Sequence, residues 1–404
     1  TVLSLIKHLY IDGYEYDKLI PLIKSVTFFR FFLMLVIAYL LSQDGILDFK
    51  YFIISATFFP ILISLDVIFQ YIFGFNVVGI ERFSSHIVPA GLYHSSFFGD
   101  ELIAGSYIKN FSFFAVLFFI FGLNNKNKIS FILTTLIISI LGTGILLSGN
   151  KMPLPLYIFG LILIFFLNNH LKKIILTGLV GLFIIFNTIF YFDEAKKSNF
   201  LISFYGNARY SLIETFKKFT AKDKNLKPHY QVREEKQVEV TDFDSFWKYG
   251  STLNRRTGRT ELFATALELW NKKKIFGGGI KSFRRDCIRL QMYNPKRLCS
   301  THPHNYYVEI LTETGIVGVS ITLFIGLLFF IFIFKNLKFF KGKSKKNLIL
   351  LAAIVSILAE MFPIRGTGSI FTTQNAAYLI LITSIILSYG QITSGSKSAH
   401  RKYK

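Results

Sequence analysis

Nine apolar runs of about twenty residues dominate this sequence, at 22–42, 51–74, 103–123, 129–148, 152–168, 173–192, 305–334, 347–363 and 373–391. A helix crossing the hydrocarbon layer of a bilayer needs about 20 predominantly apolar residues. In lipid no water satisfies exposed backbone groups, and a helix satisfies them internally. The expected fold is therefore an all-α polytopic membrane protein with about nine transmembrane helices. Composition agrees: 52% of the 404 residues are hydrophobic, 46 are Phe, and mean hydropathy is +0.45. The opening residues hold Asp12, Glu15, Asp17 and Lys18 and read as an interfacial or connecting segment. The chain starts with Thr and shows no cleavable signal peptide, so further N-terminal sequence is expected and the first helices would serve as the signal.

The net charge of +22 invites a nucleic-acid reading, which the positions of the cations exclude. Lysines cluster in short connections: NNKNK near 124–128, NNHLKK at 168–173, KNLKFFKGKSKK at 335–346, and the tail SKSAHRKYK. With nine spans, all four fall on one side, which the positive-inside rule assigns to the cytoplasm. The opposite side carries 75–102, the turn at 149–151, the long segment 193–304 and the turn at 364–372. The chain thus divides into N-terminal transmembrane helices (1–192), a periplasmic loop domain with short helices (193–304), and C-terminal transmembrane helices with a basic tail (305–404).

The loop has a strongly polar middle, then GRTELFATALELWNKKK, whose Leu262, Phe263, Ala266, Leu269 and Trp270 recur at helical spacing. Cys287 and Cys299 both lie on the non-cytoplasmic side, where a disulfide or two free thiols are open readings. A disulfide would pin the chain just before His302 and His304. GGGIKSF lacks the GKS or GKT ending and the preceding strand of a nucleotide loop, so any energy source would be an activated substrate.

The stretch CSTHPHNYYVEILTETGIVG, residues 299–318, places unusual polar chemistry at the start of an apolar helix. His304 is the natural candidate for proton transfer near neutral pH, with Asn305, Glu309 and Glu313 following. The alternative is an interfacial histidine with snorkelling carboxylates. A zinc site needs three or four ligands, and His302 with His304 supplies two. Cations on the same side are Arg82, Lys151, Arg255, Arg256, Arg259, Arg284, Arg285 and Arg289. Guanidinium forks suit phosphate oxygens, and ordinary solvated charge is the competing reading. Lys151 stands between two apolar runs in LLSGNKMPLPL, where a charge at a membrane boundary is a functional candidate by default.

RFSSHIVPAGLYHSSFFGDELIAGSY, LSGNKMPLP, GRTELFATALELW, IFGGGIKSF and the 299–318 stretch, in that order over roughly 50–335, resemble the O-antigen ligase and O-antigen polymerase superfamily. The resemblance implies a glycosyltransferase of the bacterial inner membrane, with its active site facing the periplasm and no metal or cofactor. Its donor would be an undecaprenyl-diphosphate-linked glycan. Its acceptor would be a saccharide on a lipid-linked repeat unit (polymerase) or on the lipid A core (ligase). On this resemblance His304 is the essential histidine, and Arg259 contacts the diphosphate from the Gly-Arg helix. Lys151 stands where the family usually has arginine, keeping the charge but losing the bidentate fork. Arg82 fits the earliest element. His302, Asn305 and Glu309 are expected to support the acceptor site. Diphosphate is a good leaving group, so neutral His304 would act as general base in a single, inverting displacement. The main competing reading is a transporter or flippase of lipid-linked sugars, which would favour repeat symmetry and broken midplane helices. Others are a non-catalytic assembly protein, and a lipid-carrier glycosyltransferase with a carboxylate in its first outer loop, for which Asp100 and Glu101 are the candidates.

Overall fold

The computed structural model describes residues 15–44, 46, 49–82, 91–122, 128–202, 258–293, 299–342, 344–363 and 368–399. The middle of the long loop, with Arg255 and Arg256, lies outside these, as do the first fourteen residues. Eleven helices carry the architecture of the described residues: α1 (Glu15–Gln43), α2 (Lys50–Phe73), α3 (Ala104–Gly122), α4 (Lys128–Leu147), α5 (Pro153–Leu167), α6 (Lys172–Phe192), α7 (Gly258–Lys272), α8 (Phe283–Tyr293), α9 (Tyr306–Lys335), α10 (Lys345–Glu360) and α11 (Thr373–Ala399). All nine apolar runs are helical. Five match a membrane span in length and composition: Ile23–Ser42, Lys50–Phe73, Lys128–Leu147, Asn169–Phe192 and Tyr306–Lys335. Ala104–Ile120 and Pro153–Leu167 are shorter apolar helices.

Two runs differ from expectation. α1 begins at Glu15, inside the segment read as a connection. The helix dipole favours acidic residues in a first turn, and the sequence places Glu15 and Asp17 there. α9 is broken: Gly315 has φ 67° and ψ −166° and interrupts its helical backbone. A short polar helix, 306–314, therefore precedes an apolar one, 316–335, of about the 20 residues that a span needs.

The main core is an apolar cluster contributed largely by α2 to α6, α10 and α11, including Val67, Phe113, Ile138, Tyr157, Leu182, Leu351 and Ile382. Lipid tails are as apolar as leucine, so close packing and not hydrophobicity must join such helices. Gly160 shows how: a Cβ there would run into the Phe113 ring, so only glycine lets α5 lie against α3. Some buried polar side chains within it donate to helix carbonyls. Ser64 Oγ donates to the Pro60 carbonyl at 2.6 Å and the Tyr157 hydroxyl to that of Ile138 at 3.1 Å.

The connections gather at two ends. At one, Asn168 Nδ2 donates to the Phe340 carbonyl at 2.7 Å, joining two of the basic connections. At the other, Asn150 Nδ2 donates to Leu102 O at 2.8 Å, Lys196 Nζ to Leu92 O at 2.7 Å, and Asn305 Nδ2 to Pro363 O at 3.0 Å. That second end carries every described candidate residue.

Candidate functional site

His304 adopts a left-handed backbone, φ 58°, immediately before α9. A non-glycine residue there costs on the order of 1–3 kcal/mol and persists only where its surroundings enforce it. The next residue supplies much of that enforcement. An asparagine is among the best helix N-caps, because its short amide reaches the free N–H groups of the first turn. Asn305 Oδ1 accepts from the Tyr307 and Val308 amides at 3.0 and 3.1 Å. Its Nδ2 donates to Pro363 O, and the Tyr307 hydroxyl donates to Met361 O at 2.5 Å. The histidine turn is thereby tied to the end of α10.

The His302 and His304 rings lie 4.2 Å apart between centroids. His302 Nδ1 shares a hydrogen bond with Thr301 Oγ1 at 2.9 Å. Its Nε2 is buried and takes no hydrogen bond among the described residues. Burial, then the neighbouring His304 and Arg284, lowers the imidazole to about 4. At neutral pH His302 is therefore uncharged, with one ring nitrogen available to a ligand hydroxyl.

Both glutamates of the motif point into protein. Glu309 accepts from Ser369 Oγ at 2.5 Å and from the Ile370 amide at 2.9 Å, fixing the turn before α11. Glu313 accepts from the Lys281 and Phe283 amides at 2.6 and 3.3 Å, satisfying the start of α8. The glycine turn is woven into the break in α9: the Gly278 and Gly279 amides donate to the Thr312 and Glu313 carbonyls at 3.0 and 2.8 Å. The Ile316 amide, just past the break, donates to Lys274 O at 2.9 Å. A Cβ on Gly277 or Gly315 would collide with the opposing backbone, which explains glycine at both.

Cys287 and Cys299 are joined in a disulfide, with Cα atoms 5.5 Å apart. Cys287 is buried with Leu262, Ala266, Leu269, Phe283, Leu290 and Val308, the small core that seats α7 and α8 on α9. Arg284 is exposed on α8, and its charge acts on both His302 and Glu309. Lys281, also left-handed at φ 61°, acts on Glu309 as well. The charge of Lys24 on α1 meets those of Arg284 and Lys281, and Phe28 one turn on packs against Ile280, Ile310 and Phe371. Arg259 stands in the first turn of α7, and its side chain is outside the described residues.

Arg82 and Lys151 belong to a second group at the same end. Lys151 is half-buried in the turn between α4 and α5. Lys196 braces that turn: its Nζ donates to Leu92 O and Leu147 O, each at 2.7 Å, and lies 3.3 Å from His94 Nδ1. Asn199 Nδ2 donates to Gly149 O at 3.2 Å. Burial lowers the Lys196 amine to about 7, and burial with the charge of Lys196 lowers His94 to about 3. The Arg82 guanidinium packs over Gly91, and its charge also acts on His94.

The structure thus gathers His302, His304, Asn305, Glu309 and Arg284 at the mouth of α9, and Arg82 with Lys151 around the 147–151 turn. Sequence reasoning did not single out Lys24, Lys196 or Lys281. The signal for Lys24 was a lone cation near the start of an apolar run; Lys196 and Lys281 carried none apart from other loop lysines.

An all-helical bundle with apolar helices of spanning length, and a histidine mouth at one end, defines a multi-pass membrane protein with a built polar site. The family model described as O-antigen ligase matches residues 136–323, from within α4 to the apolar part of α9. Over that segment, a little under half of the chain, the sequence is similar to the O-antigen ligase family, which supports a function of the membrane glycosyltransferase kind in polysaccharide biosynthesis. Lys151, Arg259 and His304 lie inside the matched segment, and Arg82 lies outside it. No curated protein matches the chain.

Proposed function

We propose that this protein transfers a glycan from an undecaprenyl-diphosphate donor to a saccharide acceptor on the periplasmic side of the bacterial inner membrane. All nine apolar helices cross the bilayer in this reading, with the basic connections in the cytoplasm. The observation that carries it is the mouth of α9: a strained histidine, a second, uncharged imidazole beside it whose Nε2 is unpaired among the described residues, and carboxylates already committed to backbone.

His304 takes the proton of the acceptor hydroxyl as that oxygen attacks the anomeric carbon. The bond to the diphosphate oxygen breaks and its electrons leave with the diphosphate, so the displacement inverts the anomeric centre. Arg259, Lys151 and Arg82 stabilise the departing charge. His302 holds the acceptor through Nε2. Asn305 and Glu309 support the acceptor site indirectly, by fixing the turns on either side of it. The donor arrives activated, so no step calls for metal or ATP.

The transporter reading gains nothing from the site, because transport needs no strained histidine beside a neutral imidazole. The test is complementation of host strains lacking their own O-antigen polymerase or ligase, with glycans resolved as a ladder. A ladder of repeats restored by the wild type and lost in His304→Ala supports a polymerase. Preformed chains moved onto the lipid A core support a ligase. Full function of His304→Ala returns the transporter reading to the front.

A further inference from the structure

Lys109 and Glu360 form an ion pair of 2.5 Å among apolar helices, with side chains only 2% and 0% exposed. Lys109 stands on α3 and Glu360 ends α10. Removing two charges from water costs about as much as their attraction returns, so such a pair adds little stability over apolar residues of the same size. What it does add here is a fixed, ionised carboxylate. The other oxygen of that carboxylate accepts from the Tyr306 hydroxyl at 2.9 Å. Tyr306 is the first residue of α9, two beyond His304, and is itself buried. Asn305 and Tyr307 bond the same end of α10 through the Pro363 and Met361 carbonyls. Three consecutive side chains after the histidine therefore grip 360–363, and of these bonds the one from Tyr306 meets a charge.

We propose that Lys109, Glu360 and Tyr306 form a positioning network for His304, holding the first turn of α9 on the bundle so that the imidazole faces its substrate. This rests on the reading of His304 as the residue that takes the acceptor proton. Glu360 provides the acceptor that Tyr306 needs, and a charged acceptor makes the stronger, shorter bond. Lys109 keeps that carboxylate ionised and in place. None of the three touches the reacting atoms. Their effect is on geometry, to which transfer is more sensitive than binding, because displacements near 1 Å cost about a hundredfold in rate.

The test uses the full chain with Tyr306→Phe, Lys109→Met and the double variant Lys109→Met/Glu360→Gln, and His304→Ala as reference. Three quantities are read: glycan transfer in a host strain lacking the native copy, thermal unfolding of the purified protein, and the Kd for undecaprenyl diphosphate. Tyr306→Phe removes one hydroxyl without a charge or a cavity. It is expected to lower transfer about tenfold or more while unfolding is unchanged and Kd stays within about twofold. Lys109→Met strands a buried carboxylate and loses more. The double variant restores neutrality and leaves Tyr306 a carbonyl oxygen, and is expected to recover transfer about tenfold over Lys109→Met. Wild-type transfer by Tyr306→Phe alongside an inactive His304→Ala overturns the positioning role alone. A loss of Kd parallel to the loss of transfer also overturns it, since the network would then serve binding. Activity in His304→Ala overturns instead the reading on which it rests.

Discussion

The turn at 147–151 and the turn at 299–305 are made of similar parts and differ in what those parts are free to do. Each sets an imidazole and cations beside the start of an apolar helix. At the first, His94 is 1% exposed and Lys196 0%, and the lysine commits its donors to two carbonyls. At the second, the carboxylates are committed to backbone and Ser369, while His302 is only half-buried and Arg284 stays exposed; in both turns the imidazole Nε2 takes no hydrogen bond among the described residues. The first turn is a brace that presents Lys151. The second is a mouth with a rigid scaffold, a less buried imidazole and an exposed cation. Charge near a helix start is thus no guide to function until the partners of each charge are counted.

The largest effect expected from this contrast is at the mouth. His304→Ala should lower glycan transfer by about a hundredfold or more, the usual contribution of a general base, with unfolding unchanged. Its counterpart at the brace is Lys196→Met, which takes a buried donor from the Leu92 and Leu147 carbonyls, the latter keeping His94 Nδ1. That should cost about 1–3 kcal/mol of stability in thermal or denaturant unfolding while the folded fraction still transfers glycan. If Lys196→Met instead abolishes transfer in a stable protein, the two turns are not different in kind.

Next in size is the disulfide. Opening it with Cys299→Ser should cost about 2–4 kcal/mol, by releasing a loop whose ends are 12 residues apart, and should loosen the segment before His302. His302→Gln keeps a polar side chain in place of the ring and should raise the KM for the acceptor by several-fold, with kcat less affected.

A further effect is in pH dependence, and both turns contribute. The His302 imidazole is lowered from 6.5 to about 4 on folding, so the folded state binds fewer protons in that interval. Its stabilising contribution is complete above 6.5 and is lost as pH falls through about 4. The Lys196 amine, lowered from 10.5 to about 7, has the same sign in a higher window: stability rises between 7 and 10.5. Unfolding measured across about pH 7 to 9 should show that rise in wild type and lose it in Lys196→Met.

Much of the fold was legible in the sequence because lipid imposes one strong rule. A run of apolar residues had to become a helix, and all nine did. The alternation of basic and other connections placed Asn168 and Phe340 at one end, where they are bonded. The break at Gly315 was not legible, because it follows from a backbone contact with residues 274–279 far back in the chain. Within the site, His304 could be singled out by type and position. The roles of Glu309 and Glu313 could not: nothing in their spacing shows that Glu313 would cap α8 and Glu309 hold the turn before α11. Lys196 was hidden for the same reason, since a lysine in a polar connection is ordinarily solvated, and only tertiary packing buries this one.

The most direct test of the account is a defined reaction with purified protein in vesicles, given an undecaprenyl-diphosphate-linked repeat unit as donor and a matching saccharide acceptor. The account predicts that undecaprenyl diphosphate is released as the glycan lengthens, with the anomeric centre inverted, and that His304→Ala binds the donor but releases undecaprenyl diphosphate about a hundredfold or more slowly. Retention of configuration, or release at the wild-type rate by His304→Ala, would contradict it.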